Sequence, residues 1–404
     1  MDGEKVSQGK LDLDIAPSQN VLVEVPFTIS DNIDIKNSEV RLFVISSLKE
    51  NTLWADKGFE VACSQIDLYT HPIRDIAIEC NREIDNEALK ENDSTIVVKY
   101  GRFEYSWNKR TGVMFSAKLD GKELFKKGIE LNVWRAPLAN QLDDWNAHTA
   151  KSVNWKIGQG WRMVSEFYSL GIDKLFQVNP VQIDAYVADG VVHVVVKDIR
   201  LCAGSGQKEK QDLYIEGLAI NGFINKYHYK VYPTGEILLE HQISTQGKMP
   251  LFLPRLGVQM ELADDLRNIE WYGRGPYENY PDRKTGSMVS KYRNTVDKMF
   301  EPYLIPQDCA LRTDNRWVEI TNKDKVGLRW ESDKLFNFNA YPYTTENLSK
   351  AWYPFQLKKI AGVTFNFDYE TSGVGCTCRG IFNDYKVYPK GGVFTIKITP
   401  LFGK

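Results

Sequence analysis

Basic charge is not in excess in this chain. Its 404 residues carry 51 Lys plus Arg against 53 Asp plus Glu, a formal charge of −2. Nothing is in surplus to neutralise a phosphate backbone or to dock on an anionic surface, so neither nucleic acid nor membrane is an expected partner. Long apolar runs are missing as well. Those present are short, such as Val191 to Val196 with His193 inside it, far below the roughly 18 residues that cross a bilayer. The opening Met1-Asp2-Gly3-Glu4 is polar and acidic, where a secretory leader needs a basic start and an apolar stretch. The expectation is a cytoplasmic chain by default, or one whose true N-terminus lies upstream, with a periplasmic location open for a complete enzyme. Cysteine is sparse and scattered: Cys63, Cys80, Cys202, Cys309 and the close pair Cys376 and Cys378. That spacing is neither a disulfide framework nor a common zinc pattern, so free thiols are expected. The five histidines, His71, His148, His193, His228 and His241, fall into no H-x-x-x-H or His/Cys cluster, and a transition-metal site built by this chain alone is not expected.

What the sequence does contain is strand signal. With 43% hydrophobic and 26% charged residues it has ordinary globular composition, and its apolar and β-branched residues repeat mostly with period two, which predicts a mainly β chain. Leu11 to Ile15 and Val21 to Val25 alternate, and Val40 to Ile45 is a more apolar run. Asp189-Gly190 separates Val181–Val187 from Val191–Lys197 and suits a tight hairpin turn. Asp120-Gly121, Thr234-Gly235 and Gly391-Gly392 read as further hairpins. Helical periodicity is scarce; Thr345 to Ala351 makes one or two turns, capped by Thr344 or Thr345. The polar stretch from Asn81 to Asp93 shows no strand pattern and reads as a domain linker. It sets residues 1–80, with four or five strands against the roughly seven of an immunoglobulin-type sandwich, apart from residues 94–404.

Several segments combine aromatic and polar side chains. Trp134-Arg135-Ala136-Pro137-Leu138-Ala139-Asn140-Gln141 leads into a stretch with Asp143, Asp144, Trp145, Trp155 and Trp161. Tryptophan faces stack on sugar rings, and Arg, Asn and Asp bind hydroxyls; the plainer reading is a set of core tryptophans. Glu270 to Arg283 is the densest such segment, with Arg274, Glu278, Asn279, Asp282 and Arg283 on a turn shaped by glycines and prolines. Glu278 and Asp282 could be read as the carboxylate pair of a retaining glycosidase. The favoured reading is an Arg/Glu/Asp network that pins an irregular loop, with Arg274 and Arg283 paired to those carboxylates. Pro306-Gln307-Asp308, Arg312 to Trp317 and Phe336-Asn337-Phe338-Asn339 either line the same groove or close a sheet. Gly373-Val374-Gly375-Cys376-Thr377-Cys378-Arg379-Gly380 is a glycine-bracketed loop that permits close backbone approach.

In this order the segments resemble the C-terminal part of bacterial β-galactosidases of glycoside hydrolase family 2. The carriers are Trp134-Arg135-Ala136-Pro137-Leu138 with Asn140, the run Gly273 to Arg283, Pro306-Gln307 with Arg312-Thr313-Asp314 and Arg316-Trp317, Tyr341-Pro342-Tyr343-Thr344, and Gly373-Val374-Gly375. The resemblance implies an all-β chain: a partial immunoglobulin-like β-sandwich followed by a large antiparallel supersandwich, galactose mutarotase-like in fold. It implies that both catalytic glutamates sit on a barrel outside this chain, so no catalytic role is carried onto Glu278 or any other residue here. The family's magnesium and sodium ions would likewise sit mainly outside it, and no cofactor is expected in this chain. Expected partners are a β-galactoside or related carbohydrate and the catalytic barrel, in cis or as a large subunit, within a homo-oligomer. In such enzymes a loop of the last domain reaches toward the barrel's active site and ends near a sugar-stacking tryptophan. At that place this chain has Cys376-Thr377-Cys378-Arg379-Gly380, which points away from direct stacking. Expected substrate contacts are Arg135, Asn140, Arg274, Glu278, Asn279, Asp282, Arg283, Cys376, Thr377, Cys378 and Arg379. A stand-alone carbohydrate-binding module or an accessory small subunit is the alternative. An aldose epimerase needs positioned histidine with glutamate, which five scattered histidines do not offer.

Overall fold

In the computed structural model the described residues are 1–27, 38–71, 75–84, 86–141, 163–202, 221–376 and 380–403. The chain divides into two compact units, Met1–Ile73 and Arg74–Lys404. In the first, β1 (Val40–Ser47) and β2 (Glu60–Tyr69) form an antiparallel two-stranded sheet. Leu11–Ile15 and Val21–Val25 form no strands. Their side chains are largely exposed, so the alternation has no packed face to settle on. Two of the four or five expected strands are therefore present among the described residues. Phe43, Ile45 and Val61 on one face of this sheet, and Ile66 on the other, are exposed.

The second unit takes in much of the stretch expected to be a linker. Ile84 is buried, and β3 (Leu89–Glu91) pairs with β4 (Thr95–Tyr100). A three-residue edge strand is too short for its alternation to be legible, which is why 81–93 reads as polar linker. Next come β5 (Phe103–Asn108), β6 (Met114–Leu119) and β7 (Lys122–Glu123), which complete a five-stranded sheet in the order β3-β4-β5-β6-β7.

The remaining strands belong to one 13-stranded antiparallel sheet. They are β8 (Phe125–Asn132), β9 (Leu175–Gln177), β10 (Gln182–Ala188), β11 (Val191–Cys202), β12 (Gly222–Val231), β13 (Ile237–Gln246), β14 (Arg255–Leu262), β15 (Asn268–Gly275), β16 (Met288–Thr295), β17 (Arg312–Thr321), β18 (Val326–Tyr341), β19 (Val363–Thr371) and β20 (Gly392–Phe402). Asp189-Gly190 joins β10 to β11 with both residues at positive φ, and Asp120-Gly121 does the same for β6 and β7. Thr234-Gly235 joins β12 to β13. Gly391-Gly392 is no hairpin, because β20 pairs with β13 and β18, strands far away in sequence. Among the described residues three short α-helices accompany the sheet: α1 (Met163–Leu170), α2 (Val296–Met299) and α3 (Thr345–Lys350). The cap of α3 is Thr344, whose Oγ1 accepts from Asn347 N at 3.0 Å.

The sheet curls because β18, 16 residues long, serves two neighbourhoods. Its first half lies between β17 and β20, and Asn337–Tyr341 pairs with β19. β19 in turn pairs with β14, and β14 with β8. Aromatics fill the interior at this bend: Phe336 stacks on Phe367 at 4.2 Å, and Trp330 meets Phe365 at 5.4 Å. The protein is thus all-β, a large curled antiparallel sheet of supersandwich type following a small β unit.

Two predictions follow from this core. Phe367 is 0% exposed, and Phe367→Ala should cost about 3–5 kcal/mol in urea unfolding. Phe355→Ala, at a position 82% exposed, should change stability by under about 0.5 kcal/mol. His241 supplies the second. It is buried, stacks on Tyr227 at 4.0 Å, and its ring nitrogens lie 2.9 Å from Tyr369 Oη and 3.2 Å from Asn225 Oδ1. Burial, and secondarily the Arg200 charge, push its pKa from 6.5 down to about 3. Below pH 6.5 the unfolded chain binds a proton there that the folded chain refuses, so stability present above 6.5 is lost as pH falls toward 3. His241→Gln should flatten that acid limb of the stability profile; identical slopes in variant and parent would contradict the assignment.

Candidate functional site

The polar-aromatic run leaves the end of β15 and folds back on itself, and most of its polar atoms are consumed by the fold. Asn279 is 0% exposed; its Oδ1 accepts from Thr313 N at 3.0 Å and from Thr313 Oγ1 at 2.5 Å, while its Nδ2 donates to Tyr277 O at 3.0 Å. Arg274 donates to Asp314 at 2.5 Å and to Ser287 O at 2.8 Å. Lys284 shares that Asp314 carboxylate at 2.7 Å. The expected pairing of Arg274 with Glu278 or Asp282 is therefore replaced by a partner on β17, brought close by the antiparallel pairing of β15 and β17.

Asp282 is spent on backbone. Its carboxylate accepts from Val374 N at 2.9 Å and from Gly375 N at 2.7 Å. The approach is so close that a Cβ on Gly373 would sit 2.4 Å from Asp282, so only glycine fits there. Arg135, 1% exposed, donates from its two terminal nitrogens to the carbonyls of Ser372 and Gly373 at 2.7 Å each. Asn140 Nδ2 donates to Val374 O. Three side chains expected to touch substrate thus grip one loop, 372–375.

Above that loop lies a cavity of about 450 Å³, of the size that holds small ligands. Of the expected contacts, Asn140, Glu278, Arg283 and Cys376 line it; Arg135, Arg274, Asn279 and Asp282 do not. Thr377, Cys378 and Arg379, like Trp145, Trp155 and Trp161, lie outside the described residues. Trp134 is buried, with its ring against Phe167 and Tyr168. Glu278 accepts from Arg283 Nη2 at 2.6 Å, from Ala310 N at 2.9 Å, and from Tyr303 Oη. Burial, then the bond to Glu278, push the Tyr303 hydroxyl up to about 12, so it stays a donor at neutral pH. Arg283 is half exposed and lies over Tyr280 at 5.3 Å. The cavity wall therefore presents a cation, a carboxylate already engaged by three donors, an amide and a thiol. A carboxylate so engaged is a poor nucleophile, and Glu278 with Asp282 does not make a hydrolytic pair.

The floor is a buried charge cluster: its Asp308 and Asn339 belong to segments expected to line a groove or close a sheet, while its Arg255 and Asp368 were missed by sequence reading. Asp308 accepts from Tyr280 Oη at 3.0 Å, from Asn339 Nδ2 at 3.2 Å and from Arg255 at 3.4 Å, and Arg255 lies 3.5 Å from Asp368. Burial pushes the Asp368 pKa up to about 6 against the pull of Arg255, with Asp308 adding in the same direction as burial. The available signal was a lone charge in an apolar run, Arg255 beside Leu253 and Leu256, and Asp368 between Phe367 and Tyr369. Tyr303 carried no such signal. Among the described residues no group of three or more His, Cys, Asp or Glu is gathered to hold a metal ion.

The loop grip is measurable. Asp282→Ala should speed amide hydrogen exchange at Val374 and Gly375 about tenfold or more, the loss of a charge-assisted bond to each. Arg283→Ala should leave those two rates unchanged.

The family described as beta galactosidase small chain matches residues 99–398, and that described as beta-galactosidase, domain 4, matches residues 1–69. A beta-galactosidase of Priestia megaterium is 27% identical over 375 residues, which are 92% of this chain and 32% of the relative. One of Halalkalibacterium halodurans is 26% identical, over 93% of this chain and 33% of the relative. The chain therefore spans about a third of the length of these relatives. A galactose 1-epimerase of Lactobacillus acidophilus superposes with a TM-score of 0.41 at 9% identity, covering 90% of this chain and 98% of that one. Since the small-chain match runs from residue 99 to residue 398, the chain belongs to the β-galactosidase small-chain family.

Proposed function

We propose that this chain is the C-terminal part of a β-galactosidase-type glycoside hydrolase and forms one wall of its substrate pocket, while bond cleavage is performed by residues outside it. The observation that carries the reading is the succession of two β-galactosidase domain families along one chain, joined to a polar cavity whose rim is built from the residues that mark the family resemblance. Galactosides are neutral polyols, and the rim offers both kinds of hydrogen-bonding group. Arg283 and Asn140 donate, and Glu278 accepts.

The division of labour follows from the bonding. Asp282, Arg135 and Asn140 hold the loop 372–375 in place, so the loop is preorganised before sugar arrives, which lowers the ordering cost of binding. Arg283, half exposed at the rim, gives one N–H to Glu278 and has further N–H groups to offer a hydroxyl. Cys376 follows the gripped loop and sets the polarity of the cavity mouth. It is exposed and unpaired by disulfide.

The test has two parts. The purified chain, mixed with o-nitrophenyl β-galactoside, should release nitrophenol no faster than buffer; enzyme-like hydrolysis by this chain alone would sink the proposal. In the complete enzyme, with the barrel supplied in cis or as a separate subunit, Arg283→Ala should raise KM by about fivefold to twentyfold with kcat changed by less than about twofold, the signature of lost uniform binding. A KM unchanged in that variant would remove Arg283 from the substrate wall.

A further inference from the structure

Strands β10, β11 and β12 bring together, on the less buried face of the sheet, side chains far apart in sequence. Tyr186 opposes His193 across β10 and β11, and His193 opposes Lys230 across β11 and β12. His228, two residues before Lys230, lies on the same face, because side chains alternate along a strand. Val192, Val194 and Val196 occupy the opposite, buried face.

The two imidazoles meet: His193 Nδ1 lies 2.9 Å from His228 Nε2. Tyr186 lies flat against His193, 4.9 Å between centroids and 5° between planes. The Ala188 backbone also acts on the His193 ring, favouring a proton on it. Between the two facing nitrogens a neutral pair holds one N–H and one lone pair.

We propose that His193 and His228 form a binding site for a divalent transition ion of the zinc class. Two imidazole nitrogens on one tetrahedral zinc, each ~2.0–2.1 Å from the metal, stand roughly 3.3 Å apart. The observed gap is slightly shorter, and a small rotation of either ring opens it. Whichever ring donates in this contact moves its proton to its other nitrogen, a change of neutral tautomer that leaves charge balanced, and both lone pairs then face the ion. No third ligand is gathered among the described residues as the side chains stand. Glu240 is the register partner of His228 on β13, within the ~5 Å Cβ spacing of a cross-strand pair, so its carboxylate is the group that rotation adds, with water completing the shell. Lys230 and Lys226 on the same sheet repel a cation, and Asp189 and Glu240 attract it. The site is accordingly a weak one, selective for metals that favour imidazole.

The experiment uses the full chain. Calorimetric titration with Zn²⁺ should show one saturable site, and Co²⁺ should give d–d absorption without a thiolate charge-transfer band. His193→Gln and His228→Gln, each checked for unchanged circular dichroism, should weaken binding by at least about tenfold. Glutamine keeps a polar side chain at the sheet surface, so loss of binding by a folded variant reports the ligand itself. Ring ¹⁵N resonances of His193 and His228 should shift on titration. Binding that survives both variants, a thiolate band pointing to cysteine, or no saturable binding up to millimolar metal would each overturn the proposal.

Discussion

Everything around the candidate site rests on burying Asp308. A carboxylate removed from water is tolerable only when its lone pairs are filled, and filling them recruits Tyr280 from the motif after β15, Asn339 from β18 and Arg255 from β14. Arg255 then answers to a second carboxylate, Asp368 on β19. One guanidinium shared by two acids in a dry interior is an incomplete neutralisation, and Asp368 carries the consequence in a raised pKa. The cluster ties three strands of the curled sheet to the two irregular segments that shape the cavity. Removing one member would leave the others charged and unpaired, a loss of the order of 3–5 kcal/mol for a buried pair.

From that floor the site is built upward by progressively less buried groups. Arg135 and Asp282 grip the loop 372–375 through its own backbone, which makes the grip independent of that loop's side chains apart from the glycine that Asp282 crowds. Such a loop can carry different residues at its tip without losing position. Here the tip begins with Cys376, and the residues that follow it differ from the tryptophan-bearing pattern the resemblance implies. Position is held by the fold, while the chemistry at the rim is left to Asn140, Glu278 and Arg283.

Much of the motif that identifies the family is therefore structural in this chain. Asn279, Asp282 and Arg274 are polar and closely spaced, which is what a binding site looks like in one dimension, yet their partners are Thr313, the 374–375 backbone and Asp314. Polar residues within an irregular segment have two outlets, a ligand or the unpaired backbone of that segment, and irregular backbone that is buried must be satisfied first. The reading of the run as a loop-pinning network anticipated this, and the Arg283–Glu278 pair is its clearest instance. The Arg274 partner lay beyond reach because it sits 40 residues away on another strand.

By itself the sequence determined what is local: the all-β class, the hairpins at Asp120-Gly121, Asp189-Gly190 and Thr234-Gly235, a short helix capped at Thr344 or Thr345, and the succession of family motifs. These depend on a residue and its near neighbours, through backbone preference and two-residue alternation. Tertiary structure alone decided what depends on register between distant strands: the placement of β20 between β13 and β18, the Arg255–Asp308–Asp368 cluster, and the contact of His193 with His228 across 35 positions of sequence. It also decided against Leu11–Ile15 as a strand, since alternation makes a strand only where a packed face is there to receive it. Sheet pairing joins residues by position along an edge, and no spacing along the chain encodes which edge that will be.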